Sequence, residues 1–154
     1  MTTPEPARRP APPLPTSSKV LCAVYGVIAV GALIATWSQN AAYFNDPGHF
    51  LGHFLNDSRA NPGSRSLTVD IVLFFLAAAI LMVIEARKHQ VRYVWAYIAA
   101  GYAIAISVAF PLFLIARELR VGRTETTRLG ALDTVLLVVL AITAAGLTVW
   151  VDMG

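Results

Sequence analysis

The sequence predicts an all-α integral membrane protein. The expected architecture is a four-helix transmembrane bundle, preceded by a disordered proline-rich tail and carrying a short interfacial helix between its first and second spans. Three observations predict it. Of the 154 residues 56% are hydrophobic and 14% charged, against about 25% charged in an average soluble domain. The apolar residues fall in four blocks, at 20–37, 67–84, 93–115 and 129–151, each close to the roughly 20 residues that cross a hydrocarbon layer about 30 Å thick. Most Lys and Arg residues stand at the ends of these blocks, where membrane proteins keep them. Inside lipid the backbone must satisfy its own hydrogen bonds, so the blocks are predicted as helices.

The tail, residues 1–18, holds Pro4, Pro6, Pro10, Pro12, Pro13 and Pro15. Such a stretch cannot bury a core and is expected to stay extended. Residues 10–13 match a PxxP pattern, although a solvated tail explains them as simply. The transmembrane domain is assigned to residues 19–154. Arg8, Arg9 and Lys19 precede the first block in the manner of a signal peptide, but the block is longer than an ordinary signal core and no A-x-A site follows. An uncleaved helix is expected. Cys22 is the single cysteine, so no intrachain disulfide exists.

The first block carries small residues at Gly26, Gly31, Ala32 and Thr36 and closes on Trp37. In the connection that follows, Asp46 and Pro47 look like an N-cap with proline at N1. Phe50, Leu51, Phe54 and Leu55 share one face of the short helix expected there, which suits the membrane surface. Asn61, Pro62 and Gly63 form a turn before the second block. The third block opens on Tyr93, Trp95 and Tyr97, an aromatic belt, and repeats small residues at Ala99, Ala103 and Ser107, a seam for close packing. Pro111 cannot donate to the Ser107 carbonyl, so a kink is expected there.

Four full crossings place both chain termini on one side. The basic residues then divide six against six. The weight given to the first helix and to the short basic loop at 86–92 assigns both termini to the cytoplasm, with the protein in the cell's inner (plasma) membrane. The same alternation brings Asp70, Arg117, Glu118 and Asp133 to one membrane face with the loop bearing His49 and His53, and sends Glu85 to the other. An Asp70–Arg117 ion pair is therefore expected.

The candidate catalytic residues are the intramembrane acids Asp70 and Asp133, with Glu85 at a helix end. Burying an acid in lipid costs free energy, which makes such residues functional candidates. Both aspartates also stand near helix N-termini, where negative charge is favoured for structural reasons alone. Candidate binding residues are Arg117, Asn61, His49 and His53. The two histidines are four apart and can face one ion, but no further ligands accompany them and no metal site is predicted. No nucleophile-and-base set, phosphate loop or cofactor motif is present in the sequence. The net charge of +3 belongs to helix ends, so no nucleic-acid partner is predicted. The expected partners are membrane lipids, a second copy of the chain or another membrane protein.

Over residues 43–120 the sequence resembles a bacterial family of small multi-pass membrane proteins, domain of unknown function 2834. The likeness rests on Asn61 and Pro62, on Asp70 and Phe74, on Glu85, Ala86 and Arg87, on Trp95, and on Pro111 to Leu114 followed by Arg117. It implies a multi-pass membrane protein and supplies no activity, and it draws attention to Asp70, Glu85 and Arg117. The expected function is that of an accessory or lipid- and partner-binding membrane component. One alternative is a membrane-embedded enzyme in which Asp70 or Asp133 protonates a lipid or isoprenoid, with Phe74, Phe75 or Tyr102 shielding the cation. Another is a small oligomeric transporter.

Overall fold

The structure is a computed structural model that describes residues 13–122 and 130–153. Most of the proline-rich tail therefore lies outside the described residues. All regular elements among the described residues are helical: α1 (Thr16–Asn40), α2 (Phe50–Asp57), α3 (Pro62–His89), α4 (Val94–Ala103), α5 (Ile106–Val121) and α6 (Ala131–Asp152), with two short 3-10 turns between α1 and α2. Three helical stretches are long and apolar enough to cross a membrane: Thr16–Asn45, Pro62–His89 and Ala131–Asp152.

The long helices begin and end where local chemistry dictates. Asn61 caps α3, its Oδ1 accepting from the Ser64 N–H at 2.9 Å, and Pro62 fills the first turn, where a missing N–H costs nothing. The other end of α3 carries Arg87, Lys88 and His89, favourable against the negative end of a helix dipole. Gln90 then turns left-handed (φ 55°), and Val91 N–H closes on the Ala86 carbonyl at 3.0 Å, a Schellman termination. Hydroxyls inside the apolar helices fold back onto their own backbone, as with Thr36 onto Ala32 and Thr143 onto Val139, so no hydroxyl of these is left bare in lipid. Asp46, expected as an N-cap, makes no capping bond. Its carboxylate is taken by His49 instead, and α2 starts only at Phe50.

The third apolar block departs most from expectation. It is not one helix with a kink at Pro111. The chain leaves helical geometry at Ile104 (φ −110°, ψ −73°) and Ala105 (φ −176°, ψ 143°), ahead of Pro111, which lies buried inside α5. The α4 and α5 helices then run antiparallel. Tyr97 meets Phe113 edge-on with ring centroids 5.8 Å apart, and Gly101 faces Ile106 and Ala109. In one continuous helix Tyr97 and Phe113 would stand about 24 Å apart. The block is thus a helical hairpin, its first arm about 15 Å long, half the depth of a bilayer core.

The hairpin packs on α3 and α1, and the core sits at their junction. Met82, Ala86, Val91, Val94 and Phe113 form it, with Met82 and Phe113 wholly enclosed. A close approach is at Gly101, where an added Cβ would stand 2.8 Å from Cε2 of Phe75 on α3 and 3.3 Å from Cδ1 of Ile106. The seam anticipated at Ala99, Ala103 and Ser107 is exposed, and the packed small residues are Gly101 and Ala109. Gly101→Leu should therefore destabilise the protein in detergent by about 1–3 kcal/mol, the usual cost of overpacking. Ala103→Leu should leave the thermal midpoint unchanged, and equal losses from the two would place the tight contact elsewhere.

The helix ends fix the remaining directions. Ser18 at the start of α1 donates to the Gly122 carbonyl just past α5 (3.4 Å), and Gln39 at the end of α1 donates to Asp152 at the end of α6 (3.1 Å). The start of α1, the end of α3, the end of α5 and the start of α6 thus share one end of the bundle. The 41–61 connection and the end of α6 lie at the other. The two ends of the described chain are opposite, not together as four full crossings would have them. The four-helix bundle is also incomplete, because none of the residues of α6 is buried.

Candidate functional site

Glu85 and Arg117, predicted on opposite faces, meet. The α3 helix carries Glu85 just past its apolar run, and the returning arm of the hairpin brings Arg117 to the same level. Arg117 Nε donates to Glu85 Oε2. One turn further along α3, His89 Nε2 stands 3.3 Å from the same oxygen, without the alignment of a hydrogen bond. The three side chains are 17%, 28% and 11% exposed for Glu85, Arg117 and His89. A carboxylate held between a guanidinium and an imidazole ties the hairpin to α3. Glu118, next along α5, keeps its Oε1 close to Gly122 at the end of the same helix. Beyond it the backbones close up so far that a Cβ at Gly122 would strike Ser18 Oγ.

Beside this cluster, at the turn from α3 into α4, lies a cleft of about 490 Å³. Its floor includes Val91 and Val94, and its walls include Arg87, Arg92, Tyr93 and Trp95. Tyr93 is left-handed (φ 60°), a conformation that non-glycine residues adopt sparingly, and it turns the chain into α4.

The opposite end holds the other polar group. Asp46 Oδ2 accepts from His49 Nδ1 at 3.0 Å and stands 3.8 Å from His53 Nε2. Tyr43 donates to Asp57 at 2.7 Å. Tyr43, Asp46, His53 and Asp57 border a second cleft of about 300 Å³. Phe50 and Phe54 stack on each other, with Tyr43 edge-on to both. Among the described residues no three His, Cys, Asp or Glu side chains stand close enough to hold a metal ion.

The remaining candidates separate. Asp70 is exposed on α3, at the end away from Arg117, so the expected Asp70–Arg117 pair does not form. No hydrogen bond or ion pair reaches Asp70 among the described residues. Asp133 accepts from the Gly130 N–H at 3.2 Å in the first turn of α6, a structural use of its charge. Neither aspartate borders the two clefts. Asn61→Ala should cost about 1 kcal/mol, the worth of an N-cap, whereas Asp70→Asn should stay within about 0.5 kcal/mol. Thermal unfolding in detergent checks both. His89, Arg92 and Tyr93 were not legible as site residues, although the i, i+4 spacing of Glu85 and His89 was there to be read.

Helices of this length and hydropathy define a multi-pass membrane protein. A family model, Protein of unknown function DUF2834, matches residues 24–119, and the chain belongs to that family. The match takes in most of α1, the 41–61 connection, α3 and the hairpin, and leaves out α6. No curated protein and no solved structure matches the chain.

Proposed function

We propose that the protein is an accessory membrane component that binds lipid or a partner membrane protein. The carrying observation is α6. It spans 22 residues, its charged residues, Asp133 and Asp152, stand only at its two ends, and none of its residues is buried. A helix that adds so little to its own bundle needs an apolar companion. The polar groups support the same reading, because Glu85, Arg117 and His89 close on one another and Asp133 serves its own helix. A photocrosslinker at Leu140, exposed midway along α6, should give one discrete product in membranes, or the chain purified in mild detergent should retain lipid in fixed stoichiometry. A chain that crosslinks diffusely and exchanges all its lipid for detergent would overturn the reading.

The topology proposed with it is three crossings and a hairpin that re-enters the side it came from, in the plasma membrane. Charge supports it. With α4 and α5 on one side, the described residues Lys19, Arg87, Lys88, Arg92, Arg117 and Arg120 belong to segments at one end, and only Arg59 and Arg65 to the other. The even division that four crossings produced becomes a strong bias, and basic segments stay in the cytoplasm. The start of α1 is then cytoplasmic and the end of α6 is outside, in place of the two cytoplasmic termini expected from four crossings.

A further inference from the structure

We propose that the cleft where α3 turns into α4 holds the phosphate-bearing headgroup of an anionic membrane lipid. The inference deepens the lipid-binding reading above and rests on it. The cleft's volume of about 490 Å³ falls within the roughly 300–1,000 Å³ of small-ligand sites. Its two charged lining residues are both arginines, Arg87 and Arg92. Among the described residues neither is paired with a carboxylate, whereas the nearby Arg117 is. Two unpaired arginines bordering one cleft repel each other and favour an anion between them, and guanidinium binds phosphate oxygens in a matched, two-point geometry.

The surroundings select a lipid over a free anion. The cleft lies at the end of the apolar run of α3, whose last large exposed side chains are Leu81 and Ile84. A molecule with its phosphate between the arginines has apolar helix surface beneath it for acyl chains. Tyr93 and Trp95, 78% and 65% exposed, flank the cleft with amphipathic rings suited to the headgroup level. The apolar floor of Val91 and Val94 continues into the core, so an occupied cleft would brace the hairpin against α3.

The test uses the full chain in neutral detergent, titrated with phosphatidylglycerol or phosphatidylcholine while its thermal midpoint is followed. Phosphatidylglycerol should stabilise the protein and phosphatidylcholine should not. In R87Q/R92Q the phosphatidylglycerol midpoint should rise roughly 30-fold, the effect of two basic residues near a lipid surface. The R59Q/R65Q control, which removes the same charge at the other end, should titrate like the parent.

A second measurement does not depend on how the arginine variants fold. In a W37F/W150F background, Trp95 fluorescence should be quenched more by brominated phosphatidylglycerol than by brominated phosphatidylcholine at equal mole fraction. Equal response to both lipids, equal loss in R59Q/R65Q, or full protection by inorganic phosphate alone would each overturn the proposal. Retention of a stoichiometric companion by R87Q/R92Q, with an unchanged titration, would sink the cleft and leave the accessory role standing. Loss of any companion in the parent chain would remove both.

Discussion

Cysteines placed at Lys88 and Arg120 should label from the same side of the membrane. The background is Cys22→Ser, and both positions are exposed in the structure. If residues 93–115 crossed as one helix, the two would label from opposite sides, so the outcome is all or none. The structure favours the same side because the Tyr97–Phe113 contact and the approach of Gly101 to Ala109 are geometrically incompatible with one continuous helix. Cysteines at Ser17 and Met153 extend the test, and they should label from opposite sides. Ser17 should behave as Lys88 does, and a cysteine at Ala60 should behave as Met153 does. Labelling of Lys88 and Arg120 from opposite sides would restore four crossings and remove the basis of the Glu85–Arg117 pair.

The block at 93–115 shows where reading the sequence stops short. Hydropathy counts apolar residues along the chain and does not register a change of direction, so a re-entrant hairpin and a crossing helix have the same profile. The break falls at Ile104 and Ala105, two residues with no turn chemistry. Pro111, the one residue that advertises a break, sits inside α5. The hairpin is decided by tertiary packing. Gly101 leaves room for Phe75 and Ile106, and Met82, Val94 and Phe113 fill the space between the arms and α3. None of those long-range contacts has a local signature.

Features governed by local rules were legible. The cations at 87–89 mark the end of α3 and long apolar runs the helices α1, α3 and α6, whereas Asn61 and Pro62, expected in a turn, instead cap and open α3. Two members of the site, Glu85 and Arg117, stand out in the sequence, but their grouping does not. Four full crossings put them on opposite faces, because reading the hairpin as a crossing reverses the side of everything after it. Four crossings divide the basic residues evenly and leave little charge bias to set orientation, whereas the proposed re-entrant hairpin gives the described basic residues a bias.

The Glu85–Arg117 pair gives the second large expected effect. Glu85→Gln keeps the shape of the side chain and leaves Arg117 without its counter-charge. Arg117→Gln leaves Glu85 beside only His89. Removing one partner of a buried pair costs about 3–5 kcal/mol. Both side chains retain some exposure, so each single change should cost less, about 2–3 kcal/mol. The double variant Glu85→Gln/Arg117→Gln should lose less than the sum of the singles, with a coupling of about 1–2 kcal/mol. Unfolding of the purified protein in detergent measures all four members of the cycle. The matching cycle of Asp70→Asn with Arg117→Gln should be additive, since Asp70 lies at the other end of α3. Exchanging the charges, Glu85→Arg with Arg117→Glu, should recover part of the loss, because the hairpin holds the two positions together whichever side carries which sign. Additivity in the Glu85–Arg117 cycle, or coupling in the Asp70 cycle, would mean that the arm carrying Arg117 runs the other way.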